Sequence, residues 1–229
     1  MCFPCPVNEW VTCFVDKVQL TLVVFLKGMD IYYMKRKLNG NMTHTGAIKR
    51  IEQDLLLLTD AAKISGVPAA CIASVEYCEL RNWDLLDIAA DLAVYPFRIR
   101  KDSSTGCMQI YARVARKAIQ EALDDPSFTA DGSLYRELVF LSDPARHQAL
   151  WRKLKKDRRF NILCGALNLR SCAVERMGQA DFSAFAPDDY ALVFARYNGF
   201  GDKAAAYGRT CAGHLASAAL CRIFKSQDM

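Results

Sequence analysis

The sequence predicts a mainly α-helical domain of α+β type, a bundle of helices around a cleft with one small irregular or β lobe. Three observations predict it. Over most of residues 42–223 apolar side chains recur at three- and four-residue spacing, the period of a helix with one buried face. Helix punctuation falls at the ends of these stretches, with Gly66 and Gly178 as stops and Pro68 and Asp143-Pro144 as starts. One interval, about Asn82 to Gly106, breaks the period, and Pro96 within Leu92 to Arg100 points there to short extended pieces and loops.

Taken in order, residues 1–41 read as a leader distinct from the rest, with three Cys, Pro4 and Pro6, an apolar run Val18 to Leu26 and the turn-like Asn39-Gly40-Asn41. The apolar run is far shorter than the ~20 residues that span a bilayer, so no stable membrane insertion is expected. Glu9 and Asp16 before it, and Lys27 to Asp30 after it, do not fit a secretory signal. The domain then occupies 42–229. Ile48, Ile51, Leu55, Leu58 and Ala62 line one face of a first helix that stops near Ser65-Gly66. Pro68 opens a second, through about Arg81. Beyond the broken interval, Tyr111, Val114, Ala115, Ala118, Ile119 and Ala122 form a stripe stopped by Asp124-Asp125-Pro126. Asp143-Pro144 starts another helix, and Phe160, Leu163, Cys164, Leu167 and Val174 face inward from one that closes near Gly178. Pro187 to Tyr197 and Lys203 to Ile223 complete the set, separated by Gly199-Phe200-Gly201.

Composition removes several function classes. With 229 residues, 52% hydrophobic and 24% charged, the chain suits one well-buried domain with an appendage. The net charge of +5 favours an anionic polymer without choosing among nucleic acid, lipid and cell wall. The basic cluster Trp151 to Arg159 (WRKLKKDRR) has Leu150, Leu154 and Phe160 interleaved, so it reads as a solvated helix face and not as a nucleic-acid patch. Ten cysteines carry little spacing information. Cys2 and Cys5 make a C-x-x-C with no second pair at zinc spacing, and His44, His147 and His214 are scattered, so no metal or cofactor is expected. Most other cysteines fall in apolar helical patterns, as small buried hydrophobes, which fits folding in a reducing cytoplasm and leaves disulfides open at an oxidising destination.

Four separated pieces carry the chemistry. In Gly66 to Trp83 (GVPAACIASVEYCELRNW) Glu79 falls on the wheel between Ile72 and Val75, where partial desolvation lets a carboxyl hold a proton near neutral pH. Glycosidic cleavage needs such a donor for the leaving oxygen. In Ser103 to Ala115 (SSTGCMQIYARVA) Gly106 permits close backbone approach, and Gln109 offers an amide to a carbohydrate or to the acid. Asn161 to Arg170 (NILCGALNLR) contains Gly165, suited to close helix packing. In Ala195 to Gly208 (ARYNGFGDKAAAYG) Tyr197 and Asn198 end a helix at Gly199. Taken singly, Tyr197 also fits an ordinary core aromatic and Gln109 a helix-start hydrogen bonder.

In this order the pieces resemble the lysozyme-like superfamily of soluble lytic transglycosylases and goose-type lysozymes, over about residues 48–223. The resemblance lays the family's catalytic glutamate on Glu79, its Ser-x-x-Gly-x-x-Gln turn on Ser103, Gly106 and Gln109, and its later Gly and Tyr-Asn on Gly165 and Tyr197-Asn198. Leu80 stands where transglycosylases have Ser, and Asn168-Leu169 where they have Tyr-Leu. Glu76 lies one turn earlier and is the alternative register.

What the resemblance implies is cleavage of the β-1,4 bond between N-acetylmuramic acid and N-acetylglucosamine in peptidoglycan glycan strands. A hydrolase needs a second carboxylate, for which Asp102 is preferred because it precedes the Ser103 to Gln109 turn, with Asp87 and Asp91 as alternatives. A transglycosylase manages with Glu79 alone, and an inactive glycan-binding module is the non-enzymatic reading. Without an export signal such an enzyme, made in the cytoplasm, reaches the periplasm or wall as a phage lysis protein or as a type VI-like antibacterial effector. The latter travels with a cognate immunity protein.

Overall fold

The computed structural model describes residues 42–83 and 85–225, all within one compact unit that begins at Asn41. The leader expected over residues 1–41 lies outside the described residues, apart from the boundary itself. The described residues form ten α-helices and one two-stranded sheet, so the chain is mainly α, as the periodicity requires. No described helix is long and apolar enough to cross a membrane.

Helix α1 runs His44–Ser65. The Thr43 hydroxyl accepts from the Gly46 amide at its start, and Gly66 ends it at φ 75°, the left-handed conformation that glycine adopts without a Cβ penalty. Helix α2, Ala69–Asn82, begins one residue after Pro68, which serves as its N-cap. The interval expected to be loops and extended pieces instead opens with a helix, α3, Leu85–Val94. Its sequence, LLDIAADLAV, is apolar on nearly every side, so no helical stripe stands out against a polar face. The small β lobe follows as a hairpin, β1 Ser104–Thr105 against β2 Ile110–Tyr111, antiparallel with Ser104 opposite Tyr111 and Thr105 opposite Ile110.

Helix α4, Ala112–Asp124, matches the predicted stripe, with Ala112, Ala115, Ala118, Ile119 and Ala122 buried. Helix α5, Gly132–Ser142, was not foreseen. Asp131 caps it by accepting from the Ser133 and Leu134 amides, but Tyr135, Val139 and Phe140 are exposed and blur its apolar face. A 3-10 turn at Pro144–Arg146 leads into α6, His147–Lys156. Leu150, Trp151 and Leu154 of the basic cluster are buried there, as the solvated-face reading requires. The remaining helices are α7, Arg158–Met177, α8, Pro187–Asn198, α9, Asp202–Leu215, and α10, Ala218–Lys225.

Helix α7 is the spine, buried continuously from Phe160 to Leu169. Ile162, Ala166 and Leu169 join a core built from α1, α2, α8 and α9, whereas Phe160, Leu163, Cys164 and Leu167 join one built from α4, α5 and α6. A helix apolar all round belongs between two layers, and this one separates two hydrophobic clusters. Close approach at two points needs glycine. A Cβ on Gly165 would sit 2.6–2.9 Å from the Met108 side chain, the packing role expected of it. A Cβ on Gly208 would lie 2.1 Å from the Ala191 carbonyl oxygen, so α8 and α9 touch backbone to backbone. Gly208→Ala must push the two helices apart, and we expect a loss of about 1–3 kcal/mol in urea unfolding, with a midpoint unchanged from wild type counting against this contact.

Candidate active site

A cleft of about 650 Å³ opens where the C-terminal end of α2, the hairpin, α4, α7 and the end of α8 converge. Glu79 stands at its wall, in the last turn of α2, on the stripe that the helical wheel assigned to the interior. The residue keeps a face open to the cleft, yet protein packed around the carboxyl pushes its pKa up to about 7. The Tyr207 hydroxyl donates to Glu79 Oε1 at 2.6 Å and pulls the other way, while the charge of Asp87 adds to the rise. Tyr207 is half-buried, and burial around its hydroxyl followed by the Glu79 charge holds its phenol well above the ordinary range, so it remains a donor.

The Ser103 to Gln109 motif forms the hairpin and its turn. Gly106, at φ 76°, is there for geometry: a Cβ would fall 2.2 Å from Asn161 Nδ2, and Gly106 does not line the cleft. Asn161 of α7 grips the turn from below, accepting from the Met108 amide at 2.9 Å and donating to the Thr105 carbonyl at 3.0 Å. Tyr197 grips it from above, its hydroxyl donating to the Met108 carbonyl at 2.8 Å. Gln109 occupies a left-handed conformation at φ 43°, and its Nε2 donates to the Gly106 carbonyl at 2.8 Å. Its Oε1 is buried and accepts no hydrogen bond among the described residues. Such an acceptor costs free energy unless a ligand donates to it.

Glu79, Gln109, Tyr197 and Asn198 therefore meet at one cleft, as expected. Ser103 and Asp102 do not, and both expectations are corrected. Side chains alternate along a strand, so Ser104 faces the cleft while Ser103 and Thr105 turn inward and donate to Asp91. Ser103 also accepts from Trp151 Nε1 at 3.1 Å. Asp102 spends both carboxylate oxygens on the first turn of α4, accepting from the Ala112 and Arg113 amides at 3.0 Å each. A helix N-terminus favours that negative charge, and Asp102 is structural. Asp91 is buried and paired with Lys155. Of the three aspartates weighed for the second carboxylate, Asp87 is the one that lines the cleft. Glu175 lines it too, but Arg196 donates to it at 2.7 Å and holds its carboxyl below the usual range, as befits a fixed charge.

The alternative, Glu76, does not line the cleft. Glu76 is wholly buried behind the cleft, with Arg158 Nη2 2.6 Å from its Oε1, and Arg158 in turn reaches Asp54 at 2.5 Å. Burial pushes Glu76 up to about 7, the Arg158 guanidinium opposes this, and Asp54 reinforces it. Arg158, the member of the basic cluster that turns inward, was not singled out by sequence, nor were Asn161 and Tyr207. Tyr207 and Asn161 stand in segments that drew attention for other residues. Neither is marked by local spacing as a partner of the site. Among the described residues no three His, Cys, Asp or Glu side chains are grouped to hold a metal ion. Comparisons with protein-family models, with curated proteins and with solved structures return no match for this chain.

Proposed function

We propose that this domain is a lysozyme-like muramidase that cleaves the β-1,4 bond between N-acetylmuramic acid and N-acetylglucosamine in bacterial peptidoglycan. The observation that carries the reading is Glu79, a cleft carboxyl with its pKa raised to about 7. A general acid near that value holds a proton at neutral pH and still releases it to a leaving sugar oxygen. Because Tyr207 donates to Oε1, the acid form carries its proton on Oε2. Gln109 stands at the cleft wall, where its side chain can meet a sugar, and Arg113 supplies a cation for the carboxylates of the peptide stem. An enzyme of this kind reaches the wall through a phage-type membrane pore or by contact-dependent injection, and in the second case is matched by an immunity protein that blocks the cleft.

The second reading is a lytic transglycosylase, favoured by the engagement of Asp102 at α4, which leaves Glu79 with fewer partners for hydrolysis. Mass spectrometry of products from purified sacculi separates the two, since reducing ends carry one water more than anhydro ends. We expect reducing ends, and a loss in Asp87→Asn on the order of a hundredfold, because Asp87 lines the cleft with Glu79 while Glu175 is held by Arg196. Anhydro products with full activity in Asp87→Asn would reassign the enzyme as the lyase. No products of either kind from folded protein would leave a glycan-binding module.

A further inference from the structure

Beneath the cleft floor, α2 and α9 meet along a seam of three contacts. Ser74 Oγ donates to the Cys211 carbonyl at 2.5 Å, the Cys78 and Cys211 sulfurs lie 2.8 Å apart, and Tyr207 reaches Glu79. Residues four apart share a helix face, which aligns Ser74 with Cys78 on α2 and Tyr207 with Cys211 on α9. The seven cysteines of the described residues are unbridged, and these two are both buried. Their sulfurs are closer than the roughly 3.5–4.0 Å at which unbonded heavy atoms are most favourably spaced. Such a separation suits a covalent bond better than a contact between two thiols.

We infer that Cys78 and Cys211 are a site of disulfide formation, in which a small-molecule disulfide of the glutathione type oxidises the pair and locks α2 to α9 beneath Glu79. In the first step one cysteine thiolate attacks a sulfur of the oxidant and expels one thiolate, leaving a mixed disulfide. In the second, the other cysteine attacks the protein sulfur of that mixed disulfide and expels the second thiolate. The oxidant's sulfur-sulfur bond breaks and the Cys78–Cys211 bond forms. Two electrons pass to the oxidant, and the two protons of the protein thiols end on the two small thiols. Burial pushes the Cys211 thiol far up and disfavours its thiolate, so the reaction belongs to the folding chain, before the seam closes. The inference stands on the α2–α9 seam alone and holds whatever the cleft binds.

The bond would close a loop across 133 residues of sequence, a large constraint on the unfolded chain. The test unfolds the full-length protein in reductant and refolds it with glutathione disulfide or with excess dithiol. After alkylation and digestion without reduction, the oxidised sample is expected to yield a peptide pair joined through Cys78 and Cys211. Its Tm should exceed that of the reduced sample by about 5–15 °C. Cys78→Ala should erase the difference, and Cys221→Ala, remote from the seam, should keep it. Recovery of Cys78 and Cys211 alkylated after oxidative refolding, or joined to other cysteines, overturns the inference. So does the expected cross-link without a rise in Tm. The peptide map of the wild-type chain decides even if Cys78→Ala fails to fold.

Discussion

Glu79→Gln is expected to abolish clearing of purified sacculi, by a factor of roughly 100–10,000 or more, while making the protein more stable at alkaline pH. The substitution keeps size and the acceptor for Tyr207 but removes the proton donor. The gain in stability follows from linkage. The folded pKa of Glu79, about 7, lies above its unfolded value near 4.5, so the folded state binds an extra proton between them. Stability is therefore greatest below the lower value and is lost as pH rises through about 7. An uncharged Gln avoids that loss, so at pH 8 the variant should exceed wild type by roughly 1–3 kcal/mol, and at pH 4 by little. If this proton is the one delivered to the leaving oxygen, as proposed, kcat/KM of the wild type should fall as pH rises through about 7. Urea midpoints at pH 4 and pH 8, beside turbidity assays, check both halves. An active Glu79→Gln protein would remove the acid from Glu79.

Arg158→Ala is expected to cost about 3–5 kcal/mol at pH 8, the largest loss of stability we foresee for a residue outside the apolar core. Removing the guanidinium leaves Glu76 and Asp54 as like charges in the interior, with only Arg50, 3.1 Å from Asp54, to compensate. The sign with pH is fixed by Glu76, whose folded pKa stands near 7 against 4.5 unfolded. Below its folded pKa of about 7 Glu76 takes a proton and the repulsion fades, so the penalty should shrink at pH 5. Denaturant unfolding at the two pH values tests this, and a penalty that grows toward pH 5 would contradict the burial of Glu76. The same geometry makes Glu76→Gln a test of the ion cluster and not a neutral control for Glu79→Gln.

Local signals were legible wherever the backbone itself demanded a residue type. Gly66 and Gly178 end their helices at positive φ, as read from the chain, and Gly165 serves close packing, though against Met108 of the hairpin turn and not against a helix. Helices α3 and α5 escaped because their apolar residues do not fall on one stripe: α3 is apolar apart from Asp87 and Asp91, and α5 exposes three large apolar side chains. At the site, Glu79, Gln109, Tyr197 and Asn198 were found by motif, and the structure brings them together. Ser103 was misplaced by a single residue because a strand inverts its side chains at each step, and nothing in the spacing told Ser103 from Ser104. Asp102 was misjudged for a different reason. Its partners are backbone amides ten and eleven residues away, which carry no signature in side-chain sequence. Tyr207 lies 128 residues from Glu79, and only the docking of α9 on α2 reveals the pair.

The joint Gly199-Phe200-Gly201, with Phe200 standing out in solvent, divides the chain into unequal shares of one machine. The residues that line the cleft lie before or at this joint and include the carboxyl, while α9, after it, carries the hydroxyl that tempers that carboxyl. Proton affinity at Glu79 is thus partly a property of assembly, since the packing that raises it is offset by a hydrogen bond that comes with α9. A backbone opened at this joint would leave two fragments whose docking surface is the α8–α9 face at Gly208 and the seam on α2. Their reunion, in trans, would restore the Tyr207 hydrogen bond to the Glu79 carboxyl.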